Sequence, residues 1–110
     1  MADSTIPVQE GGTNVYADLA YDDAAEMQRK SALAALIAGC IARRRLSPPD
    51  AALLLGVDQG TLSRITRGMF RRISELTMLD MVTKLGRDVR IIVGPAKRRK
   101  APGSIRLEIN

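Results

Sequence analysis

Residues 53–68 read LLLGVDQGTLSRITRG. An apolar run stops at Gly56. Beyond Val57 and Asp58, a polar, hydroxyl-rich segment has apolar side chains only at Leu62 and Ile65. Gly56 offers a left-handed conformation that ends one helix cheaply. Asp58 is a good N-cap for the next, which is expected to run to about Arg67 and stop at Gly68. Two short helices joined by Gly56-Val57-Asp58 make a helix-turn-helix. Each step of the spacing has a physical reason. Ala52 is small and allows a close crossing, Val57 fills the corner, and Leu62 and Ile65 form the inner face of the second helix. Gln59, Gly60, Thr61, Ser63, Arg64, Thr66 and Arg67 are left facing outward. That face carries amide, hydroxyl and guanidinium groups and no carboxylate after the cap, a chemistry suited to base edges and phosphates.

Upstream, Ser47-Pro48-Pro49-Asp50 opens the first helix of the pair. Ser47 is the N-cap, Pro48 takes the first helical position, where its missing N–H is not needed, and Asp50 makes a weak capping box. A longer helix is expected before it, from about Ala24 to Arg44, capped by Asp22 or Asp23. Leu33, Leu36, Ile37, Cys40 and Ile41 form its buried stripe. Gly39 is either a mild flaw in that helix or a point of close helix contact. Arg43, Arg44 and Arg45 complement the dipole at its end. Residues 1–14 read as a flexible polar tail, with Val15, Tyr16 and Leu19 packing onto the body.

Downstream, residues 69–73 read as a connector. Ser74 caps a last helix with Leu76, Leu79, Val82 and Leu85 as its stripe, and Gly86 ends it. DVRIIV, residues 88–93, reads as a β-strand. A lone strand leaves unpaired backbone groups, so it needs a partner. Either its copy across a two-fold axis pairs with it, making Val89, Ile91, Ile92 and Val93 dimer contacts, or the alternating SIRLEIN of residues 104–110 does. Residues 95–110 are otherwise a basic tail.

The totals agree with this reading. A chain of 110 residues suits one domain. With 45% apolar and only 3% aromatic residues, the core must be built from Leu, Ile, Val, Met and Ala, a set that leans helical. There is no His, which removes Ser-His-Asp and Cys-His catalysis and His-ligated metals. The single Cys40 reads as a small core residue. No P-loop, metal cluster or nucleophile–base pair is apparent, so neither an enzyme nor a cofactor or metal site is expected. The first residues lack a secretory signal, and the longest apolar run, 32–42, falls short of the roughly 18 residues that span a bilayer. A cytoplasmic protein with no membrane association is the expectation. Net charge is +5. Residues 1–30 carry −4 and the rest +9, so the body favours a polyanionic partner.

The stretch LSPPDAALLLGVDQGTLSRITRG resembles the helix-turn-helix of Xre/Cro-type regulators. NVYADL before the first helix, GMFRRIS after the motif, the Leu-rich last helix ending in Leu85-Gly86, and RDVRIIV extend the resemblance to a HigA-like antitoxin subgroup over about residues 14–94. It implies a mainly α, five-helix Xre/Cro-like (lambda repressor-like) domain, here 15–94, with a short C-terminal β-strand at 88–93. It also implies a homodimer, binding to a pseudo-palindromic double-stranded operator and, in toxin-antitoxin relatives, neutralisation of a RelE-like ribonuclease toxin. A stand-alone regulator fits the same sequence. So does an interaction module that has lost DNA readout.

On that reading Gln59, Gly60, Thr61 and Arg64 face the bases. Gln59 matches adenine and Arg64 guanine or phosphate; Thr61 matches a thymine methyl or phosphate. Ser63, Arg67, Arg71 and Arg72 face phosphates. The Arg43–Arg45 cluster is either a solvated helix end or a phosphate contact. Lys97-Arg98-Arg99-Lys100 either adds non-specific DNA affinity or only solubilises a linker. The acids around Asp18 to Glu26 either meet a basic toxin or are a solvated helix start. Two positions depart from the family pattern. Pro48 stands where a phosphate-holding Gln is common, and Gly60 gives the groove no side chain.

Overall fold

The computed structural model describes residues 13–110, with side chains from residue 23 onward. Four helices are present among the described residues: α1 (Thr13–Arg43), α2 (Pro48–Leu55), α3 (Gln59–Thr66) and α4 (Glu75–Lys84). The proposed tail of residues 1–14 lies mostly outside the described part, as do the side chains of Val15, Tyr16 and Leu19.

The caps of the central pair are where local chemistry puts them. Ser47 accepts from the Asp50 N–H at 3.3 Å and Pro48 opens α2. Gly56 sits at φ 70, in the left-handed region. The Val57 N–H then reaches back to the Ala52 carbonyl at 3.1 Å. Asp58 caps α3 by accepting from the Thr61 N–H, and Ser74 caps α4 by accepting from the Thr77 N–H at 3.0 Å.

The core gathers one face from each helix. Leu33 and Ile37 of α1, Leu55 of α2, Ile65 of α3, and Met78 and Met81 of α4 are almost wholly enclosed. Ala51, Ala52, Leu62, Cys40, Phe70, Val82 and Leu85 complete it. Val57, Leu36 and Ile41 pack against it from the edge. α1 lies along α4 and α3, and α2 crosses α3 and α4.

Several expectations need correction. α1 begins at Thr13 rather than near Ala24, so Asp22 and Asp23 lie inside it and cap nothing. Four helices stand where the resemblance implied five: Thr13–Arg43 is one unbroken helix, and residues 69–73 are the connector that was expected, without helix of their own. The stripe of α4 is rotated from Leu76 toward Met78 and Met81, which join the expected Val82 and Leu85, while Leu79 packs at its edge. A series rising by three drifts off a 3.6-residue turn; the buried set follows i, i+3, i+4, i+7. Leu76 is 70% exposed. Gly39 is no close helix crossing, since a Cβ there would meet only the Arg43 side chain, at 3.6 Å.

Residues 88–93 form no strand, and neither do residues 105–109. A strand is made by its ladder, and no described segment supplies one. Val89 packs on the core's edge, while Ile91, Ile92 and Val93 are exposed. The C-terminal segment instead returns to the body. Leu107 packs against the core, Ile105, Leu107 and Ile109 line a cleft with Ala25, Gln28 and Ala32 of α1, and the Arg87 guanidinium donates to the Asn110 carbonyl.

Candidate nucleic-acid interface

α3 is amphipathic in a strict sense. Leu62 is 5% exposed and Ile65 fully enclosed, so the helix has a fixed rotation about its axis. That rotation leaves Gln59, Gly60, Arg64, Thr66 and Arg67 exposed and Thr61 and Ser63 half-buried. The inner pair thus decides what the outer face presents. No carboxylate stands on α3 itself. The one at its head, Asp58, is committed to the cap. The hydrogen bond from the Thr61 backbone N–H, then that from its side chain, holds the Asp58 carboxyl below its ordinary range. It stays ionised and complements the positive end of the helix.

The start of α2 adjoins this face. Pro48 of α2, Ile41 and Leu46 line one cleft with Gln59, Gly60, Ser63 and Thr66 of α3. Pro48 therefore falls beside the outward face of α3 and gives it no side-chain donor. Ahead of it, Arg45 takes a left-handed conformation at φ 54, and the Leu46 N–H returns to the Ile41 carbonyl at 3.2 Å. This bend ends α1 and turns Leu46 back onto the core.

Two lysines that sequence reasoning passed over hold the motif in place. Lys84, in the last turn of α4, donates to the Leu55 carbonyl at 3.2 Å and pairs with Asp80 at 3.0 Å. Its ammonium thus ties the C-terminus of α2, at the turn, to α4. Lys30 of α1 is 2% exposed and donates to the Arg71 carbonyl at 3.0 Å, with Glu26 one turn back at 2.9 Å. A signal for Lys30 exists in the sequence. It stands in register with Leu33, Ala34 and Ile37, where an unpaired charge would be costly.

The basic residues after α3 are not alike. Arg71 pairs with Asp23 of α1, so its guanidinium is shared with a carboxylate. Arg72 is exposed. Next to them Arg29 makes two hydrogen bonds to Glu75, both at 2.8 Å. The side-chain bond from Arg29 is the main reason that the Glu75 carboxyl lies below its usual range, and the same bond raises Arg29. Asp23 and Glu26, read as half of an acidic docking face, are thus paired with Arg71 and Lys30. Arg44 and Arg45 are exposed, and Arg43 donates to the Cys40 sulfur at 3.4 Å.

A family model described as a helix-turn-helix domain matches residues 15–94. The chain belongs to the helix-turn-helix domain family. Neither a curated protein nor a solved structure matches it. Membership agrees with the geometry: α2, the glycine turn and α3 are the motif that gives the family its description. In DNA-binding members of such a fold the second helix of the pair lies in the major groove, and that position here belongs to α3. No described helix is long and apolar enough to cross a membrane.

Proposed function

We propose that the chain is a sequence-specific double-stranded DNA-binding repressor that reads its operator with α3. One observation carries the reading. The exposed face of α3 presents Gln59, Arg64 and Arg67 with no carboxylate beyond the capping Asp58, and its rotation is fixed by the buried Leu62 and Ile65. Gln59 and Arg64 meet base edges in the major groove, and Gly60 and Thr61 stand on the same face beside them. Ser63, Arg67 and Arg72 face phosphates, as does Arg71 with the guanidinium it shares with Asp23.

A homodimer goes with this reading. Ile91, Ile92 and Val93 are 72%, 78% and 92% exposed, and their backbone has no ladder among the described residues. Pairing residues 88–93 with their copy would supply the missing ladder. It would also set two recognition helices about 34 Å apart on successive major grooves. Within this function the Xre/Cro-type and HigA-like resemblance favours an antitoxin that represses its own operon and neutralises a RelE-like ribonuclease. A neighbouring reading frame encoding such a toxin supports that role. A frame without one supports a stand-alone regulator.

The test is selection of bound sites from a random DNA pool with wild type and Gln59→Ala, at one fixed salt concentration. A two-fold symmetric site is expected. Gln59→Ala should lose preference at one position per half-site, worth about 1–3 kcal/mol. Affinity for the selected site should also fall steeply between about 50 and 200 mM salt, as counterion release requires. A pool that enriches nothing with wild type would overturn the function. It would favour an interaction module with the same fold, the reading to which Pro48 and Gly60 lend support.

A further inference from the structure

Arg64 is exposed, yet its guanidinium has a partner on its own helix. Its Nη2 donates to Thr61 Oγ1 at 3.0 Å, one turn earlier on α3. Its Nη1 lies 3.7 Å from the point where a Cβ on Gly60 would stand. The guanidinium therefore lies back along the helix toward its N-terminus, against the Thr61 hydroxyl and above bare backbone at Gly60. Thr61 is half-buried, and its own N–H is held by Asp58. The hydroxyl that receives Arg64 thus sits on the best-anchored turn of the helix.

No contact among the described residues otherwise calls for a glycine at position 60. The nearest heavy atom to a Cβ there is Asp58 Oδ1 at 3.4 Å, an ordinary contact. Glycine in a helix is less favourable than alanine, and packing does not demand it here. What a side chain longer than a methyl would take is the space next to the Arg64 guanidinium.

We propose that Gly60 and Thr61 determine base specificity by aiming Arg64, rather than by touching DNA themselves. Thr61 occupies one of the five N–H donors of the guanidinium fork and sets its direction. Gly60 keeps open the space beside which the fork lies. The donors that remain are directed at a single guanine edge, which a planar fork meets with two parallel hydrogen bonds. A pre-aimed arginine gives up less freedom when it binds, and it presents the wrong bases with a fixed mismatch. The inference rests on the DNA-reading function proposed above and goes one step into it. Thr61 and Gly60 are positioning residues, and Arg64 is the reader.

The experiment is site selection at fixed salt with wild type, Arg64→Ala, Thr61→Val, Thr61→Ser, Gly60→Leu and the double variant Thr61→Val/Arg64→Ala. Thr61→Val keeps the shape and removes the acceptor. Gly60→Leu introduces a better helix former, so loss of fold does not confuse its result. Thr61→Val and Gly60→Leu are each expected to relax the same base position that Arg64→Ala relaxes, by about threefold to tenfold, a part of what a bidentate contact confers. Thr61→Ser, which restores the acceptor, should restore the preference. In the Arg64→Ala background Thr61→Val should change nothing further.

Three results would overturn the proposal: relaxation at a different position, a Thr61→Val effect that persists without Arg64, or an equal loss of affinity on every sequence. The last would mark Thr61 as a phosphate contact. Failure of the underlying function is separately visible. Wild type would then enrich no site, and the assignment of Gly60 and Thr61 would fall with it.

Discussion

The basic residues of α3 and those along the seam between α1 and α4 are held in opposite ways. On α3, the Arg64 side chain bonds to Thr61 on its own helix, and Arg67 is exposed at its end. Along the seam, Arg29, Lys30 and Arg71 each reach a partner 41 to 48 residues away in sequence. The first group is presented; the second is consumed in holding the fold. The +9 of residues 31–110 is therefore not one basic surface. Arg71, five residues beyond α3, belongs partly to the seam. The comparison predicts a clean division of effects: seam substitutions should cost stability, and α3 substitutions should cost base preference.

The strongest way to break that division is Lys30→Ala. It removes a buried stem and leaves the Arg71 carbonyl without its donor. A loss of about 2–4 kcal/mol is expected in urea unfolding, from the cavity and the unsatisfied acceptor together. The consensus of the selected DNA site should stay the same. A changed consensus would show that the seam also shapes the reading face.

Glu75→Gln comes next, with an expected loss of about 1 kcal/mol at neutral pH. That is a discounted value for an ion pair whose partners are 15% and 25% exposed. The sign of its pH dependence follows from the direction of the shift. The folded-state value of Glu75 lies below its unfolded value. Its contribution is thus fully present above the ordinary glutamate value, about 4.3, and is lost as pH falls through the lower folded value. Wild type should lose stability more steeply than Glu75→Gln when acidified through that window. Parallel curves from urea titrations at several pH values would refute the role given to this pair.

The smallest expected effect sharpens the comparison from the other side. Gly39→Ala, in the interior of α1 with only the Arg43 side chain nearby, should raise stability by about 0.5–1 kcal/mol. Thermal unfolding followed by circular dichroism would register it, and DNA affinity should not move.

The same division marks what the sequence made legible. The helix-turn-helix could be read because its signals are local. A cap answers an N–H three residues on, glycine ends a helix at its own position, and Leu62 with Ile65 orients the face between them. Asp58 and Ser47 needed no knowledge of the rest of the chain. The seam could not be read that way. Asp23 resembles a cap, yet it sits within a helix and answers Arg71 instead. On α4 the leucines drew attention, while the methionines took the buried register and left Leu76 outside. DVRIIV has the composition of a strand, but composition supplies no partner, and the described residues offer no ladder for it. The outward residues of α3 were all nameable in advance. Their mutual arrangement, Arg64 against Thr61 above Gly60, depends on rotamers that a sequence does not display.

Lys84 has one more consequence. By bonding the last carbonyl of α2, it clamps the turn before α3 to the far end of α4. The bond restrains the turn that leads into α3 and couples α2 to α4. Under the proposed function a reader so restrained has little give. Any mismatch in curvature between it and its operator must be taken up by the duplex, whose stiffness changes from one base step to the next. Bases that α3 never touches would then be selected by how readily they bend.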